Sequence, residues 1–160
     1  MTDGLLVALI YCFVLTFICY PGLAADNTTQ FLESVNNYSS WHILLIQGIF
    51  NFFDTVGRYC GGLSCLILSN STIKLMSGLR TLFLALFLLT SFDVTGFFES
   101  DWFTTINLLL FSISNGYVST LCAVKAPQTV EGEAKGQVGG FVGITISSGI
   151  VIGSILAFIM

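Results

Sequence analysis

The fold class this sequence predicts is an all-α membrane protein of five transmembrane helices, on three observations. Of its 160 residues, 54% are hydrophobic and only 9% are charged, against about 25% charged in soluble domains. Its apolar runs are long enough to cross a hydrocarbon layer of about 30 Å, which takes about 20 helical residues. The few lysines between those runs gather in alternate loops, as the positive-inside rule requires of a multi-pass chain. The net charge of −4 is scattered over loops and helix ends, which excludes nucleic acid as a partner.

The first helix is read from about Gly4 to Leu23, ending at Tyr20-Pro21-Gly22, where proline and glycine stop a helix. The same stretch runs into Gly22-Leu23-Ala24, a pattern also seen before the cleavage site of a secretory leader. Its leading Thr2-Asp3 carries an acid and no Lys or Arg, which favours a retained span. A polar loop to Ser40 follows, with glycosylation acceptor patterns at Asn27 and Asn37. The second helix is predicted from Trp41 to about Leu68 and the third from Lys74 to Phe92, interrupted by Arg80. The fourth runs from Trp102 to about Val124, after an acidic loop, and places Ser112, Asn115, Ser119 and Cys122 on one face. The fifth, from Gly136 to Met160, carries the small-residue pairs Gly139/Gly143 and Gly149/Gly153, which allow close helix contact.

Charge in the loops sets an orientation. The first and third loops hold Asp26, Glu33, Asp93, Glu99 and Asp101 and no Lys or Arg, whereas the second and fourth hold Lys74, Lys125 and Lys135. The second and fourth loops are therefore cytoplasmic and Met160 emerges outside, with Trp41 and Trp102 at the outer interface. Five cysteines, Cys12, Cys19, Cys60, Cys65 and Cys122, lie inside apolar spans without metal-site or disulfide spacing, and His42 is the single histidine. No metal or other cofactor is expected.

The second helix carries the chemistry. At about 100° per residue, Gln47, Asn51, Asp54 and Arg58 fall within roughly 60° of one another, while Phe50, Phe52, Phe53 and Val56 cover other directions. Measured from Trp41, Asp54 lies roughly 20 Å and Arg58 about 25 Å inward, and Arg80 enters about 9 Å from the opposite side after Lys74. Asp54 can thus meet Arg80 at similar depth, or pair with Arg58 four residues on along its own helix. A central Asp or Arg costs about 2.5–3.5 kcal/mol each on translocon scales, so these three need partners or a wet cavity. A structural ion pair with Arg58 snorkelling to the surface would satisfy the charges. It would leave unexplained the two amides, Gln47 and Asn51, on the same face, and uncharged amides suit a polar, neutral substrate.

Phe50-Asn51-Phe52-Phe53-Asp54-Thr55-Val56-Gly57-Arg58 resembles the Phe-Asn-x-x-Asp-x-x-Gly-Arg signature of equilibrative nucleoside transporters, solute carrier family 29. Ser114-Asn115-Gly116-Tyr117 is similar to a second motif of that family, Gly78-Leu79-Arg80-Thr81 to the arginine of its intervening helix, and Glu133-Ala134-Lys135-Gly136 to the lead-in of its last span. The resemblance covers the whole chain and corresponds to helices seven to eleven of an eleven-helix, major-facilitator-like architecture, without the N-terminal six-helix bundle. It departs at Tyr20-Pro21-Gly22, where the family often has Phe-Pro-Ala, and at Ala85, near a common proline.

What the resemblance implies is facilitated transport of a nucleoside or nucleobase, with Asp54, Arg58 and Asn51 binding substrate, and Gln47, Arg80 and Asn115 joining them in the candidate site. The implied partners are the lipid bilayer and either the missing N-terminal bundle or a second copy of the chain. The plasma membrane is the expected location. The rival reading is a non-transporting truncated scaffold or subunit partner. Enzymatic chemistry is not expected, because no helix presents paired carboxylates, a histidine cluster or a nucleophile beside a base.

Overall fold

The computed structural model describes residues 4–23, 39–63, 66–91 and 101–159. The expected sequons at Asn27 and Asn37, the acidic segment 93–99, Cys65 and the side chains of Trp41 and His42 lie outside the described residues. Among the described residues every regular element is a helix: α1 (Leu5–Ile18), α2 (Ser39–Gly62), α3 (Asn70–Leu79), α4 (Thr81–Ser91), α5 (Asp101–Lys125) and α6 (Ala134–Ile159). Among the described residues three stretches are long and apolar enough to cross a membrane, Asn70–Thr90, Trp102–Thr129 and Ala134–Ile159, and Leu5–Pro21 is a shorter apolar helix.

Local chemistry accounts for the ends. α1 gives way to a wide turn, Cys19–Leu23, in which Tyr20 is extended at φ −137°, ψ 130°, as a residue before proline prefers. α2 stops at Gly62, six residues short of the predicted Leu68, where Gly61-Gly62 weakens the helix. α3 starts at Asn70, four residues before the predicted Lys74, because Ser69 caps it, its Oγ accepting from Thr72 N–H at 3.3 Å. Arg80 separates α3 from α4, with Phe83 N–H donating to Arg80 O at 3.0 Å, a bond across three residues.

The helices pack in a row with one flank. α2 lies along α5, α5 against α1, and α1 against α6, while α3 and α4 cover the α1–α5 groove. α6 reaches α1 through Gly149 and Gly153, where an added Cβ would stand 2.7 Å from the Cβ of Phe13 and of Phe17 respectively. The other glycine pair, Gly139/Gly143, faces open space, as do Gly136 and Gly140. Tyr117 Oη and Lys125 Nζ donate to the carbonyls of Leu66 and Leu68, tying the α2–α3 connection to α5.

Two apolar clusters fill the interior. One holds Leu5, Leu9, Cys12, Ile73, Val118, Leu121 and Cys122; the other holds Cys19, Ile46, Phe50, Phe87, Leu108 and Phe111. Between them along α1, α2, α5 and the α3–α4 junction come Thr16, Asp54, Asn115 and Arg80, all buried. A polar layer is therefore held between two apolar ones.

Candidate functional site

The polar layer depends on how closely α2 and α5 approach. A Cβ on Gly116 would fall on the carbonyl oxygen of Asp54, and one on Gly57 on that of Ile113. Gly61 adds a third close point, 3.0 Å from Thr120 Cβ. Only glycine permits this backbone contact, so the glycines of both motifs explain why Asn115 stands beside Asp54.

Asp54 is 8% exposed, and both of its oxygens are used. Oδ2 accepts from Arg58 Nε at 2.7 Å, across one turn of α2, and Oδ1 accepts from Asn115 Nδ2 at 2.7 Å. Asn115 Oδ1 in turn accepts from Thr16 Oγ1 at 2.7 Å and from Arg80 Nη2 at 3.3 Å. Thr16 Oγ1 also accepts from Arg80 Nη2 at 2.9 Å, while Arg80 Nη1 donates to Ser114 Oγ at 2.7 Å and to Phe111 O at 3.2 Å. The guanidinium carbon sits 4.7 Å from the centroid of the Phe111 ring, within cation–π range. Phe111 is itself braced edge-on by Phe83 and Phe87.

Of the two partners the sequence offered Asp54, the structure selects Arg58, and Arg80 reaches it only through Asn115. The six predicted site residues divide into two groups. Gln47, Asn51 and Arg58 are exposed along one edge of α2, where Thr55 joins them, its hydroxyl turned back to Asn51 O at 2.8 Å. Asp54, Arg80 and Asn115 are buried behind that edge. This arrangement offers a row of amides and one guanidinium outward, backed by a fixed carboxylate; it can bind acceptors and donors on a polar molecule and holds nothing arranged for bond-breaking chemistry. Sequence reasoning missed Thr16 and Ser114. Thr16 carries a usable signal, as the one hydroxyl in the apolar run Leu15-Thr16-Phe17-Ile18, whereas Ser114 is visible only as the first residue of the Ser114-Asn115-Gly116-Tyr117 motif, which does not say what its hydroxyl meets.

Residues 3–160 match the profile of the nucleoside transporter family. The chain belongs to that family. Its relatives include equilibrative nucleotide transporter 2 of Arabidopsis thaliana, 25% identical over 94% of this chain and 34% of that protein. Nucleoside transporter 1.2 of Leishmania donovani is 28% identical over 94% of this chain and 30% of its own length. Equilibrative nucleoside transporter 4 of Danio rerio is 24% identical over 91% of this chain and 27% of its own length. The chain thus spans about a third of the curated relatives it matches. Within the family chain, Asp54 and Arg58 form a direct pair at the bundle edge, and the Ser-Asn-Gly-Tyr segment supplies its backing amide.

Proposed function

We propose that this chain forms one wall of a facilitated nucleoside or nucleobase transport site, with Gln47, Asn51, Asp54 and Arg58 contacting substrate and Arg80 and Asn115 acting from behind them. The observation that carries the reading is the outward edge of α2. At 24 residues and about 1.5 Å per residue, α2 is about 36 Å long, enough to span a bilayer. Its hydrophilic row of amides and a guanidinium cannot face hydrocarbon without cost, which reaches about 2.5–3.5 kcal/mol for an arginine at a helix centre and is less for Arg58, one turn from the end of α2. Something polar must cover it, and a nucleoside in a wet cavity, facing a second bundle, meets that need.

In this reading α1 with its terminal turn, α2, α3 joined to α4, α5 and α6 are five spans, equivalent to helices seven to eleven of the family architecture. The opposite wall is the N-terminal six-helix bundle, in the same polypeptide or another, or a second copy of this chain. Two bundles rocking about a site near the midplane is the general route to alternating access. The lysines at 74, 125 and 135 orient the α2–α3 and α5–α6 connections to the cytoplasm and the C-terminal end outward. The plasma membrane is the proposed location.

The deciding experiment is uptake of radiolabelled uridine and adenosine by cells expressing this chain alone, or the natural protein in full, with Arg58→Ala as the variant. Saturable uptake that Arg58→Ala abolishes at equal surface abundance supports the site. Unchanged uptake in the variant removes Arg58 from it. Uptake by the full protein and none by this chain alone assigns the second wall to the rest of the polypeptide.

A further inference from the structure

Among the described residues the most deeply buried charge has no carboxylate beside it. Arg80 is 1% exposed, and its four hydrogen bonds go to neutral oxygens, those of Thr16, Asn115, Ser114 and Phe111. Its Nε has no acceptor among the described residues. A guanidinium sealed among neutral groups is costly unless an anion lies near, and the nearest route to one is through a single amide. Asn115 turns its oxygen to Arg80 and its NH2 to Asp54. Both charges favour that orientation, since cation and anion polarise the amide in the same sense.

Arg58 differs in every respect. Its side chain is 45% exposed and touches Asp54 through Nε alone, and its two Nη groups make no hydrogen bond among the described residues. The cluster therefore holds two guanidiniums and one carboxylate. One cation is locked in the interior and the other is held by a single bond at the edge.

We propose that Asp54 takes its permanent counter-charge from Arg80 through the Asn115 amide, which leaves Arg58 as the releasable partner that exchanges Asp54 for an acceptor on the nucleoside. Arg80 and Asn115 are then positioning residues. The exchange half rests on the transport reading above; the counter-charge half does not. Without Arg80, Asp54 would claim Arg58 as its sole counter-ion and hold it away from substrate.

Thermal melting of the natural full-length protein in detergent tests the counter-charge by double-mutant cycles. Asp54→Asn and Arg80→Gln each lower the melting temperature. The Asp54→Asn/Arg80→Gln double variant melts no lower than the worse single one, because removing both charges leaves none uncompensated. The Asp54/Arg58 cycle, run with Arg58→Gln, shows the smaller coupling although those two residues touch, since Arg58 is 45% exposed and its charge is screened by solvent. Additive shifts in the Asp54/Arg80 cycle overturn the proposal, and so does failure to recover the double variant as folded protein. In uptake, Arg80→Gln raises KM about tenfold with a change in abundance-corrected maximal rate below about threefold, and Arg80→Lys restores KM to within about threefold of the natural value. An unchanged KM in Arg80→Gln overturns the exchange. If the unmutated protein takes up no nucleoside, the transport reading and the exchange fall together, and the melting cycles still decide the counter-charge.

Discussion

Adding one methyl group at Gly116 should unseat the whole polar layer. An alanine Cβ there would lie 2.7 Å from the backbone nitrogen of Arg58 and 2.9 Å from the carbonyl carbon of Asp54, as well as on the Asp54 carbonyl oxygen. All three are backbone atoms, so no side-chain rotation relieves the overlap. Restoring ordinary contact at about 3.5 Å or more requires α2 and α5 to part by about 1.5 Å. Overpacking of this kind costs about 1–3 kcal/mol. The same displacement stretches the buried bond from Asn115 to the Asp54 carboxylate, a charged hydrogen bond worth about 1.5–3 kcal/mol. Against these stands the better helix propensity of alanine, about 1 kcal/mol. The net loss is about 1.5–5 kcal/mol, at least a tenfold drop in the folded-to-unfolded ratio. Melting of the detergent-solubilised protein measures it, with Gly78→Ala as the reference: Gly78 has nothing within 4 Å of an added Cβ, and its replacement should be neutral or stabilising. A Gly116→Ala protein that melts with or above the natural one would refute the close-approach reasoning.

At the other side of the bundle, Gly153→Ala places a Cβ 2.7 Å from Phe17 Cβ and 2.8 Å from Val14 O, so it should lower the melting temperature, whereas Gly140→Ala, in open space, should not. Phe111→Leu removes the ring beneath Arg80 and its edge contacts with Phe83 and Phe87. Each such contact is worth about 0.5–1.5 kcal/mol, so a destabilisation of about 2–4 kcal/mol is expected in the same assay. Asn51→Ala and Gln47→Ala, both at exposed positions of α2, should leave melting within about a degree or two of the natural value. They should raise the KM for nucleoside uptake; an unchanged KM in both would remove the outward edge of α2 from the site.

Much of this protein was legible in its residues. Apolar run length announced the helical membrane class, because only a helix satisfies every backbone group within one segment in lipid. Periodicity placed Gln47, Asn51, Asp54 and Arg58 on one side of α2, since the angle between residues of a single helix is set by its own geometry. What periodicity could not decide was which neighbour each face would meet. Both arginines stood within reach of Asp54, and only the packing of α2 on α5 through Gly57, Gly61 and Gly116 placed Asn115 at the carboxylate and left Arg80 one amide away. Likewise Gly139/Gly143 and Gly149/Gly153 are equivalent as sequence, yet α1 fits only the second pair, because small residues permit close approach without naming the helix that makes it. The helical periodicity and the polar stripe could be read from the residues, as local properties of a chain with a fixed helical repeat, whereas the end of α2 at Gly62 and the break at Arg80 could not. The division of that stripe into a buried layer and an exposed edge came from the packing of the helices, because burial and pairing are properties of neighbours that no single helix contains.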